Sequence, residues 1–136
     1  MTQRHAKTAL AIAALAAGMA ALPGVQARTQ GGAKVVSTWD FGVPANQAAW
    51  KVLAQGGSAL DAVEAGARWA ESELCNPTVG HCGNPDRDGV LSLDASIMDG
   101  DGRCGSVAAL TDILHPVSVA RKVMENTPHV MLVGEG

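Results

Sequence analysis

The sequence predicts an α/β chain of the α+β type, with helices covering one face of a largely antiparallel sheet. Three observations carry this reading. Leu91, Leu93, Ala95 and Ile97 alternate with Ser92, Asp94 and Ser96 across Val90 to Met98, the period of a half-buried strand. A turn at Asp99-Gly100-Asp101-Gly102 and a second apolar run, Cys104 to Leu110, turn that strand into a hairpin. Helical patterns with readable starts, at Ser58 and at Pro116, flank the hairpin on either side.

The elements follow in order. Arg4, His5 and Lys7 form a positive n-region, and Ala9 to Leu22 is an apolar run broken by Pro23 and Gly24. With Val25-Gln26-Ala27 after it, residues 1–27 read as a secretory signal peptide cut after Ala27. The run is shorter than the ~20 residues that span a bilayer, so no permanent membrane anchor is expected. There is no Arg-Arg pair, which favours general export over the twin-Arg route, to a periplasmic or extracellular location. Residues 28–34 read as a flexible mature N-terminus, and residues 35–136 are expected to hold the fold.

Val35 to Trp39 reads as a short strand. Ala45 to Gln55 reads as a helix, with Ala49, Val52 and Leu53 at helical spacing and Gly56-Gly57 as its stop. Ser58 and Asp61 open a second helix, the hydroxyl accepting from orphan amides and the carboxylate favouring the positive end. Leu60, Val63, Ala67, Ala70 and Leu74 share one face, and Glu64, Arg68 and Glu71 share another. Cys75 to Gly89 is a loop full of Gly, Asn-Pro and Asp-Gly turn chemistry. After the hairpin, Pro116 suits a helix's first turn, with Val117, Ala120, Val123 and Met124 facing inward and Asn126 to Pro128 ending it. His129 to Val133 has no polar alternation past His129 and reads as a central strand buried on both faces. Such a strand needs neighbours on both edges, so residues 35–136 are expected to be part of a larger domain.

Composition narrows the function classes. The chain is 47% hydrophobic and 17% charged, which is globular. It has three Trp, one Phe and no Tyr, so its core is built of small aliphatic residues that bury little area each. A mature piece of this size is expected to be marginal alone. A net charge of −3 with no Lys/Arg cluster argues against a nucleic-acid partner. Three Cys occur, an odd count, and Cys75 and Cys82 are the best disulfide pair because they share one loop.

Several short motifs reduce to turns. Gly100 to Gly105 matches G-x-G-x-x-G after a strand, but no convincing helix opens at its end, so a Gly-rich hairpin turn explains it. Asp86-x-Asp88-Gly89 and Asp99-x-Asp101-Gly102 lack the Glu at the twelfth position of a calcium loop. Cys75, His81, Cys82 and Cys104 do not have zinc-ligand spacing. No nucleophile–base pair stands out, since Thr38, Thr111 and Thr127 read as strand, helix-cap and turn residues. Trp39 and Phe41 could be core or could line a pocket.

Four segments in a fixed order carry a resemblance. They are Val35-Val36-Ser37-Thr38-Trp39-Asp40-Phe41, the Gly56 to Glu64 run, Leu93 to Gly100, and Val119 to Gly136. Together they resemble the N-terminal part of the glycosylasparaginase family, within the N-terminal-nucleophile hydrolase superfamily. Ser-Thr-Trp-Asp-Phe and Ala48-Ala49-Trp50 look like glycosylasparaginase rather than the related plant-type asparaginase/isoaspartyl peptidase. The resemblance implies a four-layer αββα sandwich, incomplete in this chain, to which these residues supply the α-subunit side. It implies an amidohydrolase that cleaves the N4-(β-N-acetylglucosaminyl)-L-asparagine amide bond. A self-cleaved N-terminal Thr, absent from this chain, would be the nucleophile, with its own α-amine as base. No catalytic residue is therefore expected here, and no cofactor or metal is implied. Trp39 matches the family's pocket-wall Trp, and Phe41 is the second substrate-binding candidate. The implied partners are a glycosylated asparagine or β-aspartyl substrate, the C-terminal β-subunit part, and possible further copies in a homo-oligomer of αβ units. The alternatives are a plant-type L-asparaginase/isoaspartyl peptidase fragment and a truncated non-catalytic binding protein.

Overall fold

A computed structural model describes residues 32–134 of the chain. The leader, its cleavage position at Ala27 and residues 28–31 lie outside the described residues. The elements run α1 (Gly42–Ala54), α2 (Ala59–Ser72), β1 (Leu93–Met98), β2 (Cys104–Leu110), α3 (Pro116–Asn126) and β3 (Met131–Val133), with a short 3-10 turn at Gly80–Cys82. No helix among the described residues is long and apolar enough to cross a membrane.

α1 starts at Gly42, upstream of the expected Ala45, because a tight turn launches it. The Gly42 N–H bonds the Trp39 carbonyl at 2.9 Å, and a Cβ at Gly42 would run into the Ser37 side chain. Its far end is a Schellman closure. Gly56, at φ +82°, and Gly57 return their N–H groups to the Leu53 and Val52 carbonyls at 3.0 and 2.9 Å. α2 then opens on the expected cap, with Asp61 N–H to Ser58 Oγ at 3.1 Å and Ser58 N–H to Asp61 Oδ2 at 3.3 Å. The two helices pack through Ala45, Ala49, Ala62 and Gly66. A Cβ at Gly66 would sit 3.0 Å from the Ala45 carbonyl oxygen, a tight contact that glycine avoids at this close approach of the two axes.

The sheet is small and mixed, in the order β1-β2-β3. β1 and β2 are antiparallel, from Met98 opposite Cys104 to Leu93 opposite Leu110. β2 and β3 are parallel, with Val107 opposite Leu132. The expectation of a largely antiparallel sheet is corrected by that second pairing. Parallel neighbours need a crossover, and α3 is that crossover.

α3 lies on the sheet with the expected inward face. Val117, Ala120, Val123 and Met124 are buried, and Ile97 and Val107 complete the central cluster. Gly105 allows the approach, since a Cβ there would collide with the Ala120 carbonyl oxygen and lie 2.6 Å from the Met124 nitrogen.

Two further expectations need correction. Val35 to Trp39 is not a strand: its backbone has no ladder partner, and Val36 is exposed. The segment lies along the two helices, and among the described residues no strand pairs with it. β3 is not buried on both faces. Met131, Leu132 and Val133 are all exposed, because among the described residues no strand pairs with its outer edge and no layer covers it. β1 is also shorter than expected, starting at Leu93 instead of Val90.

Candidate functional site

The turn that starts α1 also builds one wall of a concave surface. Asp40 Oδ1 accepts the Phe41 N–H at 2.8 Å, and this brings the rings of Trp39 and Phe41 into a stack, centroids 6.3 Å apart and 16° from parallel. Both side chains line a groove of about 540 Å³ between residues 34–38, α1 and α2. Its floor is the seam of small residues, Ala45, Ala49, Ala62 and Gly66. Ser37, Thr38 and Asn46 supply its polar groups. Trp39 remains 68% exposed, so one ring face is free to take another flat or apolar surface. The two candidate substrate-binding residues thus stand together at one mouth.

The cysteines are divided. Cys75 and Cys82 are joined in a disulfide with Cα atoms 5.1 Å apart, and Cys104 is a free, half-buried thiol at the start of β2. The Gly100–Gly105 motif is a hairpin turn, its backbone held by Asp99 Oδ1, which accepts the Asp101 and Arg103 N–H groups at 3.0 Å each. In the other Asp-Gly loop, Asp86 Oδ1 accepts from Asp88 and Val90 at 2.8 and 2.9 Å. Both carboxylates serve the amides of their own loops.

The polar face of α2 holds the residues whose role the sequence reading missed. It packs on the start of α3. Glu71 is 6% exposed, yet its carboxylate is fully used. Oε1 accepts the Val117 N–H at 3.0 Å, and Oε2 meets His115 Nδ1 at 3.2 Å. Burial pushes the Glu71 carboxyl up from its ordinary value, against the opposing pull of Val117 and His115. Two turns earlier, Glu64 accepts Ser118 Oγ at 2.5 Å, and Arg68 Nη1 donates to the same hydroxyl at 2.9 Å. Arg121 completes the seam, with Nη1 2.7 Å from both Asp61 Oδ1 and Glu64 Oε2, and Nε 2.8 Å from Glu125 Oε1. These bonds raise the affinity of Arg121 for its proton, and the Ser58 hydroxyl, followed by Arg121, holds Asp61 below the ordinary carboxylate range. For Glu64, burial pushes upward, but the bonds from Ser118 and Arg121 outweigh it and the net shift is downward. The i, i+3, i+4 spacing of Asp61, Glu64, Arg68 and Glu71 was the available signal. A second charged helix at Ser118 to Glu125 was the partner to match with it.

Comparison with known proteins now bears on this arrangement. The family profile described as Asparaginase matches residues 10–136. The chain belongs to the asparaginase family. Within that family it is 59% identical over 102 residues to an N(4)-(Beta-N-acetylglucosaminyl)-L-asparaginase of Elizabethkingia miricola, covering 75% of this chain and 30% of that protein. It is 51% identical over 102 residues to the Rattus norvegicus protein of the same name, covering 74% and 29%. A probable isoaspartyl peptidase/L-asparaginase 3 of Arabidopsis thaliana is more distant, at 41% over 103 residues, covering 75% and 28%. The chain therefore spans about 30% of the length of the curated relatives it matches. The glycosylasparaginase resemblance read from the sequence is met by these matches, and the α+β arrangement of helices and small mixed sheet fits that family.

Proposed function

We propose that this chain is the N-terminal portion of an exported amidohydrolase that cleaves the N4-(β-N-acetylglucosaminyl)-L-asparagine amide bond. The 59% identity to a protein of that name is the observation that carries the reading. In this proposal the groove at Trp39 and Phe41 is part of the substrate site, with the free face of Trp39 packing on an apolar surface of the bound molecule. The nucleophile is a Thr beyond residue 136, exposed as a new N-terminus by self-cleavage. Its α-amine takes the hydroxyl proton, the oxygen attacks the side-chain amide carbon, the C–N bond breaks and the amino sugar leaves with that proton, and water then hydrolyses the aspartyl ester to free aspartate and the Thr hydroxyl. The exposed outer edge of β3 fits this division, since a sheet edge of three exposed apolar residues requires a partner. Export is supported by the N-terminal leader pattern and by the Cys75–Cys82 bridge, which belongs to oxidising compartments.

The test is to express the complete gene product and follow it in time. The expected result is cleavage into two chains, the second beginning with Thr, followed by release of aspartate from glycosylated asparagine. A preference for β-aspartyl dipeptides would move the protein to the isoaspartyl peptidase class. A precursor that stays intact and hydrolyses neither substrate would overturn the reading.

A further inference from the structure

The loop between α2 and β1 contains an arrangement that the proposed hydrolysis does not use. Cys75 is exposed and Cys82 half-buried, and their bridge closes a loop with a sequence separation of only 7. Short loops gain less from a cross-link than long ones, because less chain entropy is removed. The loop is also held without it. The Asn84 N–H bonds the Pro77 carbonyl at 2.8 Å, the Gly83 N–H bonds Gly80 at 2.9 Å, and Val79 bonds Asn76 at 3.2 Å. Gly80, at φ +67°, presses on the backbone of Glu71 so closely that any Cβ would collide with it. The turn that carries His81 and Cys82 is therefore seated on the end of α2 whether the bridge is open or closed.

His81 is oriented by that seat. Its Nδ1 lies 3.1 Å from the Glu71 carbonyl oxygen. A carbonyl only accepts, so Nδ1 carries the proton and Nε2 carries the lone pair. Nε2 lies 3.4 Å from Cys82 Sγ. A disulfide sulfur has no hydrogen to give, so this contact is not a hydrogen bond while the bridge is closed. It becomes one when the bridge opens, either thiol to imidazole or imidazolium to thiolate. The interaction favours the reduced state, on Cys82, and a neighbouring His⁺ is an established way to make a cysteine a good leaving group.

We propose that Cys75–Cys82 is an exchange-active disulfide for small thiols of the glutathione type. The thiolate of the small molecule attacks the exposed Cys75 Sγ. The S–S bond breaks, its electron pair goes to Cys82 Sγ, and the proton released by the small thiol, taken up on the lone pair of His81 Nε2, passes to or is shared with the Cys82 thiolate. A second thiol then displaces the first from Cys75. The small molecules leave as their own disulfide, and their two electrons and two protons remain on Cys75 and Cys82. His81 is a positioning and proton-holding residue in this exchange. It faces the Glu71 carbonyl from α2 and Cys82 from its own loop. The Glu71 carboxylate is turned to His115 and Val117.

The experiment uses the complete gene product in glutathione buffers of graded ratio, with alkylation and peptide mass to count free thiols at Cys75, Cys82 and Cys104. The bridge is expected to open at millimolar reduced glutathione, and to re-form on oxidation, while the protein stays folded. In the reduced protein, alkylation of Cys82 is expected to begin well below the ordinary thiol pKa of about 8.5. His81→Ala is expected to return that profile to the ordinary range and to slow opening about tenfold. His81→Gln, which keeps a donor to Glu71, separates loss of the ring nitrogen from loss of the turn. A bridge that resists glutathione in the folded wild-type protein overturns the proposal, as does an unchanged Cys82 profile in both His81 variants.

Discussion

Glu71 of α2 is the N-terminal cap of α3, a residue donated by one helix to finish another. Its Oε1 accepts the Val117 N–H at 3.0 Å, where the helix's own preceding residue, His115, makes no side-chain cap bond. The carboxylate lies at the positive end of α3 and is shielded from water, where such an interaction is strongest. Glu71→Ala leaves the Val117 N–H buried and unbonded beside a void, and is expected to cost about 3 kcal/mol. Glu71→Gln keeps an acceptor and should cost under about 1 kcal/mol. Urea unfolding of the complete gene product measures both, and equal losses would refute the cap assignment.

The carboxylates of the α2–α3 seam should give stability a two-signed dependence on pH. Asp61 and Glu64 sit below their ordinary values of 3.8 and 4.5. Their contribution is present above those values and is lost as pH falls through the lowered ones. Glu71 is raised above 4.5, so the folded state holds its proton more tightly than the unfolded chain does. Its contribution is present below 4.5 and is lost as pH rises through the raised value. Glu71→Gln should therefore flatten the stability curve just above pH 4.5, and Arg121→Gln should flatten the acid arm below it. Thermal unfolding across pH 3 to 7 reads both slopes.

Gly105 should accept no side chain. Gly105→Ala places a methyl group against the Ala120 carbonyl and the Met124 backbone, neither of which is a flexible chain end. Overpacking of this kind costs about 1–3 kcal/mol, and here the upper value is expected because the obstacle is main chain. Gly100→Ala, which meets nothing within 4 Å, is the control and should be close to neutral. The difference in melting temperature between the two variants is the measurement.

Trp39→Ala should raise KM for glycosylated asparagine about tenfold in the complete enzyme, the equivalent of one lost aromatic contact. Phe41→Ala should have a smaller effect, acting through the Trp39 ring that it stacks against. Steady-state kinetics on both variants checks the order. A Trp39 variant with unchanged KM would remove the groove from the substrate site.

Much of this fold was legible because local chemistry and tertiary role coincide. Ser58 and Asp61 cap α2 with groups close in sequence, and Pro116 with Val117, Ala120 and Val123 announces a buried helix by spacing alone. The hairpin at Asp99 was readable for the same reason. What escaped depends on partners distant along the chain. Val35 to Trp39 has strand composition, but a strand exists only where another offers its edge. The apolar run at Met131 to Val133 signals burial, and the described residues provide no layer to bury it. The parallel pairing of β2 and β3 is decided by α3 crossing between them, and composition does not record direction. In the site, the aromatic pair was visible as residues, but its stacking depends on the Asp40 turn. The polar stripe of α2 was visible as a face, but its partners lie on a helix some fifty residues on.

Asp94 interrupts the β1–β2 ladder, and the interruption limits how this chain can misfold. The pairing shifts between Leu93 and Ala95, and the spare amide of Ala109, at φ 54°, is taken by the Asp94 carboxylate at 2.8 Å. On the opposite edge, the Gly134 N–H reaches the Ala108 carbonyl at 3.0 Å. Sliding β2 along β1 by one position would turn Val107 outward and strand that carboxylate where no spare amide waits. Small residues such as Ala95, Gly105, Ser106 and Ala108 give little side-chain bulk to fix the alignment at those positions. The side chain of Asp94 works as a detent: it penalises each neighbouring alignment and favours the one in which the Ala109 amide finds its mate.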